Sequence, residues 1–463
     1  MKTGNPATLT VSTSGARILR DVFFRRKFRT LCYETRGIAS KFFRLCRTDR
    51  YLFMRHLLND SLRFMLRNVQ PITGETRERA KAAVSWLIRA QAATADNGVS
   101  YGYFPYDNGN GWKASYPETT GYIISTLLEY ARLTEDKDVA EAALKMARWE
   151  ICVQMKSGAV QANELRPPEQ QVAAAFNTGM VLDGWCTAYG FSHDNSFLQA
   201  GRRAGDFLIG DVNEEGYLQS QAKTTVFALI KTYTSLCAWP LCRLSDTLGD
   251  DRYRITAIKI IEAALKQQHA NGWFANNCLS RQEAPLLHTI GYTLQGILEV
   301  GISTKREDFV NAAQQGIAPL LSQIRPEGFL PGRFYSDWKP ASFSSCLTGS
   351  AQIAVVCYRL FEYTGDTDYR EAADALLNFL KALQLLDTSI PEVRGAISGS
   401  FPILGSYQIL GYPNWATKYY LDALLYQQKL SSRVAAQTAN SIPPLLTVSD
   451  WEHAQSETVS HQN

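Results

Sequence analysis

The chain repeats itself. A small residue at the head of an apolar stretch recurs at Gly121, Gly179, Ser235, Gly291, Gly349 and Thr417, at intervals of 58, 56, 56, 58 and 68 residues. A second ruler is a glycine followed by alternating apolar residues, at Gly98, Gly158, Gly216, Gly272, Gly328 and Gly395, as in EGYLQ, NGWFA and EGFLP. A third is an acidic turn at Asp136, Asp194, Asp250 and Asp366, with Arg306 and Glu307 at the matching place of the fourth copy. The three rulers agree on a unit of roughly 57 residues, long enough for two helices and two connections.

Within each unit the first helical stretch is apolar nearly all round and the second is two-faced, as in TTGYIISTLLEYARL followed by VAEAALKMARWEICVQM. The first is therefore expected inside and the second outside. Six such hairpins predict an all-α fold, an (α/α)6 toroid with short extended segments in its mouth loops. An open solenoid is the alternative. Residues 76–93 supply a twelfth helix, which closes the ring against the last inner helix, TKYYLDALLYQQKL. The expected organisation is a disordered N-terminus (1–14), a basic helical arm (15–72), the toroid (73–435) and a disordered tail (436–463).

Charge is uneven. Residues 1–70 hold fifteen Lys and Arg against four Asp and Glu, a net of +11; of the chain's 48 and 44, that leaves 33 against 40 for the remainder. The arm interleaves aromatics with arginines and suits an anionic membrane surface or an acidic protein partner; a helix packed across the ring with a solvated basic face is the plainer reading. No secretory h-region and no 18-residue apolar run is visible, and the nine cysteines match neither a disulfide framework nor a zinc site. The expected setting is cytoplasmic, peripheral to the membrane if the arm binds lipid. No dinucleotide, P-loop, HExxH or nucleic-acid signature occurs, so no cofactor, metal or nucleic acid is implied.

In a toroid the loops entering the inner helices surround one mouth. Three places before each small residue stand Glu118, Phe176, Thr232, His288, Cys346 and Asn414; one place later stand Thr119, Asn177, Tyr233, Thr289, Leu347 and Trp415. Glu118 and His288 are the carboxylate and imidazole of this circle. Glu118 can also be a helix cap and His288 a satisfied core histidine. Asp183, one turn into an apolar inner helix, calls for a partner or a wet cavity. The mouth loops 99–118, 331–346 and 394–418 add Trp112, Tyr116, Arg333, Tyr335, Asp337, Lys339, Tyr412, Trp415 and Lys418. Aromatic faces with interspersed cations and amides suit pyranose rings, acidic ones above all.

The repeat grammar resembles the six-hairpin toroids of unsaturated glucuronyl hydrolases, N-acylglucosamine 2-epimerases and the helical domain of glucuronyl C5-epimerases. The segments SSCLTGSAQIA, RGAISGSFPILGSY and YPNWATKYYLDAL are similar to toroid proteins of bacterial exopolysaccharide biosynthesis clusters. The resemblance covers about residues 75–430 and implies work on an oligo- or polysaccharide. Three readings stay open. The first is proton abstraction at C5 of a uronate, by epimerisation or elimination. Glu118, His288, Tyr116, Tyr335 and Tyr412 would then carry protons, and Arg333, Lys339, Asn177 and Asn414 would hold the carboxylate. The second is glycoside hydrolysis by a carboxylate pair, Glu118 with Asp337 or with Asp183. The third is a non-catalytic saccharide-binding scaffold.

Overall fold

A computed structural model describes Ser40, Lys41, Leu45 and residues 51–107, 109–220, 230–279 and 284–441. Most of the basic arm and the expected disordered ends 1–14 and 442–463 lie outside the described residues. Helix α1 (Tyr51–Met65) precedes twelve ring helices. The outer set is α2 (Thr76–Ala92), α4 (Lys137–Val153), α6 (Asn195–Asp211), α8 (Asp251–Leu265), α10 (Glu307–Leu321) and α12 (Thr367–Leu383). The inner set is α3 (Pro117–Thr134), α5 (Ala175–Ser192), α7 (Ala238–Leu248), α9 (Leu287–Thr304), α11 (Leu347–Thr364) and α13 (Asn414–Ser441). The last of these runs beyond residue 435, so 436–441 continue the helix.

Each ruler has a physical cause. The small residues sit in the first turn of the inner helices, where neighbours touch: a Cβ on Gly121 would lie 2.6 Å from the Val181 Cα, and one on Gly349 would lie 2.6 Å from the His288 backbone nitrogen. The acidic turns are N-caps. Asp136, Asp194, Asp250 and Asp366 accept the backbone N–H of Val139, Ser196, Arg252 and Asp368, a bond worth about 1 kcal/mol each. Arg306, at the fourth copy, makes no such cap and pairs with Asp308 instead. The third copy departs from the expected start. Ser235 lies in a 3₁₀ turn, Thr232–Cys237, and α7 begins only at Ala238. Pro240 has no N–H to donate and its ring crowds the carbonyl four residues back, so an α-helix cannot begin earlier.

The circle closes. Inner helices pack in order from α3 to α13, and α13 packs back on α3 and α2. Gly395, at φ 90°, fits its turn against the Ala82 carbonyl of α2, where any side chain would collide. Strand β1 (Gly102–Tyr103) pairs antiparallel with β4 (Tyr412–Pro413), and β2 (Ser345–Cys346) with β3 (Ser400–Phe401). The first mouth loop is thereby tied to the last.

Glu150, buried on α4, has neither carboxylate oxygen hydrogen-bonded. Burial and the nearby Asp96 charge push its pKa well above the ordinary carboxylate range. The folded state therefore holds a proton that the unfolded chain releases, and stability falls as pH rises above the unfolded pKa. Glu150→Met is expected to stabilise the fold by about 1–3 kcal/mol near neutral pH, with a smaller gain at pH 4. Melting curves at the two pH values check this.

Candidate active site

The inner helices start at the mouth, which puts the two informative ring residues on α3 and α9. Glu118 is half-buried in the first turn of α3, and the Tyr116 hydroxyl donates to it. The N-cap position, Tyr116, makes no side-chain cap bond, and Glu118 is the acidic residue of the first turn. Burial pushes its pKa up to about 7, against the opposing pull of the Tyr116 bond. Its carboxyl is thus balanced between acid and base at neutral pH. Tyr101, Tyr122, Tyr292 and Tyr407 all feel its charge and have raised phenol pKa values, Tyr101 at about 12, with burial the larger cause in each. With Tyr116, five phenols feel the charge of this one carboxyl.

His288 faces the same phenols. Its ring lies 4.3 Å from that of Tyr292 and 5.6 Å from that of Tyr407, centre to centre. Nδ1 meets the Gln352 Oε1 at 2.7 Å; that oxygen only accepts, so Nδ1 holds the proton and Nε2 keeps its lone pair. Burial lowers the pKa to about 4, which keeps the ring neutral at physiological pH. The hydroxyls of Tyr122 and Tyr292 are buried without an aligned hydrogen bond. Beneath them Lys418 Nζ lies 3.9 Å from the Tyr419 ring centre and pairs with Asp422 at 2.7 Å.

Further along the inner helices stand ion pairs between neighbours. Asp183 is clamped by Arg243 and by the Ser125 hydroxyl, at 2.6 Å. Glu299 holds Arg359, which also pairs with Glu362. Ser125 is seven residues along α3 from Glu118, about 10 Å of helix rise. The Arg243 pair gives Asp183 the partner that its burial calls for.

Asp337 stands apart. It is exposed, pairs with Lys339 at 2.7 Å, and occupies a turn whose Trp338 packs on Trp273 and donates to the Asn271 carbonyl. Asp337 and Lys339 neutralise each other on that outer turn, and Tyr335 belongs to the same hairpin, its N–H bonded to the Lys339 carbonyl. Asp337→Ala is expected to change stability by less than about 0.5 kcal/mol, as checked by thermal melting.

The other nominated residues divide by role. Asn177 donates to the Gln161 carbonyl and bonds the Tyr116 phenol, so it positions the Tyr116–Glu118 pair. Trp415 donates to the Tyr407 hydroxyl at 2.8 Å and packs edge-on against Tyr101. Asn414 is fully buried and ties Ser100 to Thr119. Tyr412 bonds His56 of α1, and Trp112 packs between Trp86 and Tyr103; both hold loops together instead of facing the well. Tyr122, Tyr292, Tyr419 and Gln352 were missed. The signal was available for the first two: they lie four residues after Glu118 and His288, one turn deeper on the same face.

Above the well opens a cleft of about 310 Å³ lined by Lys41, Leu286, Arg333, Tyr407 and Gln408. Tyr407 has the cleft on one side and His288 on the other. Gln408 Nε2 donates to the Tyr101 hydroxyl at 2.9 Å. Lys231, whose Nζ bonds the carbonyl of the cleft residue Cys278, adds a third cation at this rim. Among the described residues no three His, Cys, Asp or Glu side chains converge as a metal site.

No protein-family model matches this chain, and no curated protein matches it in sequence. Solved structures match it in fold. An unsaturated glucuronyl hydrolase specific for heparin shares 16% identity at a TM-score of 0.62, over 77% of this chain and 98% of its own. The unsaturated glucuronyl hydrolase of Bacillus sp. GL1, responsible for glycosaminoglycan degradation, shares 15% at 0.60, over 76% and 97%. Cellobiose 2-epimerase from Bacillus thermoamylovorans B4167 shares 11% at 0.60, over 76% and 98%. The shared property is the (α/α)6 toroid. The resemblance seen in the repeats therefore holds at the level of architecture, and hydrolase and epimerase alike are built on it.

Proposed function

We propose that this protein is a carbohydrate-active enzyme acting on an acidic saccharide, and that its chemistry is proton transfer at C5 of a uronate residue. The carrying observation is the mouth carboxyl Glu118, with a pKa of about 7 among phenols that feel its charge, while the other nominated carboxylates are tied up in ion pairs. Glu118 takes the C5 proton, and the C5–H electron pair moves into the substrate carboxylate as an enolate. Arg333, Lys41 and Lys231 stand at the rim where that carboxylate would be held. In epimerisation Tyr407, backed by neutral His288, returns a proton to the opposite face. In β-elimination the C4–O bond breaks instead, a C4=C5 double bond forms, and the leaving oxygen takes the proton.

The fold shared with glucuronyl hydrolases supports hydrolysis of an acidic glycoside as the second reading, and one experiment separates the two. The protein is incubated with uronate polymers in D2O and the products are read by NMR and by a reducing-end assay. Deuterium at C5 is the expected result. New reducing ends without deuterium or unsaturation would transfer the site to hydrolysis.

A further inference from the structure

Helix α1 is buried on one face and bare on the other. Phe53, Leu57 and Asp60 turn inward, and three bonds fix the helix to the ring. His56 meets the Tyr412 hydroxyl at 2.8 Å, Asp60 accepts the Ile403 N–H at 2.7 Å, and Arg63 donates to the Ala382 carbonyl at 3.0 Å. On the opposite side Leu58, Leu62, Met65 and Leu66 are 62, 50, 67 and 71% exposed. Phe343, 62% exposed and 6.0 Å from the Phe64 ring, extends the stripe onto the next loop. A run of large apolar side chains this exposed is a contact surface seeking an apolar phase.

Its flanks say which one. Arg55 and Arg67 are exposed beside the stripe, and the one acid of α1, Asp60, is buried. The sequence before it continues the pattern with FFRRKFR at 23–29 and KFFR at 41–44. Apolar centre and cationic edges describe a helix lying in the plane of an anionic bilayer, acyl region beneath and headgroups alongside. We infer that the exposed face of α1 docks this protein on an anionic lipid surface. No helix among the described residues is long and apolar enough to cross a membrane. The inference is independent of the reaction proposed above.

The test is vesicle co-sedimentation of the full chain with phosphatidylcholine alone or mixed with phosphatidylglycerol, at low and high salt. Binding to the anionic vesicles is expected, at least about tenfold stronger than to neutral ones. Part of it should survive high salt, because burial of the stripe is not screened. The variant L58S/L62S/M65S, altered only at exposed positions, should keep its circular dichroism and melting temperature and lose the salt-resistant part. Absence of vesicle binding overturns the proposal, as does unchanged binding by the variant. A wild-type dimer that the variant abolishes would assign the face to a second copy. Binding that appears only after deletion of residues 442–463 would assign it to that segment, whose three carboxylates and lack of Lys or Arg also complement the arginines.

Discussion

Glu118→Gln is expected to lower turnover on the responsive uronate substrate by about 10²–10⁴-fold, the usual contribution of a positioned general base. Substrate affinity should change far less, since the rim cations do not depend on Glu118. Its pKa of about 7 also fixes the pH dependence. Abstraction needs the ionised carboxyl, so kcat/KM should rise through pH 7 in the wild type, and the residual activity of the variant should lack that limb. The same replacement carries a stability signature of the opposite sense. A carboxyl whose folded pKa is raised destabilises the fold as pH climbs above the unfolded value, so the variant should gain stability over wild type at pH 8 and not at pH 4. Loss of activity with gain of stability marks a site strained for chemistry. Loss of both would make Glu118 a structural residue.

Asp183→Ala is expected to be the most destabilising single change among the nominated residues, by about 3–5 kcal/mol, because it strands the Arg243 guanidinium within the ring. The double variant Asp183→Leu with Arg243→Met should recover most of the loss, as replacing both partners removes the uncompensated charge. Denaturant melts of the four proteins of the cycle measure this. The pH limb assigned to Glu118 should persist in the double variant. Its disappearance would return Asp183 to the chemistry.

The ring was legible in the sequence because its rulers are steric and electrostatic necessities. A Cβ at Gly121 or Gly349 would collide with a neighbouring inner helix, and an Asp before four of the six outer helices satisfies an otherwise free N–H. The late start of α7 was also written there, in Pro240, but the even spacing of the small residues masked it. Glu118 and His288 stood out since they broke the character of their circle. The lower ion pairs did not, although they obey the same period: Ser125 to Asp183 spans 58 residues, and Asp183 to Arg243 and Glu299 to Arg359 each span 60. Partners one repeat apart occupy the same level on adjacent inner helices. Reading that offset would have identified Asp183 as paired. Asp337 was nominated by composition, which assigned the whole 331–346 loop to the mouth; the Trp338–Trp273 contact holds the tip of that loop, and Arg333 lines the cleft.

The most direct measurement is the titration of Glu118 itself in the substrate-free protein, followed by carboxyl carbon NMR on selectively labelled glutamate, with Glu118→Gln identifying the signal. A resonance that titrates near pH 7 and vanishes in the variant is expected. A Glu118 signal that titrates near pH 4, in the ordinary carboxylate range, would contradict it, for the carboxyl would then be a solvated anion in an open mouth and no base tuned by its surroundings.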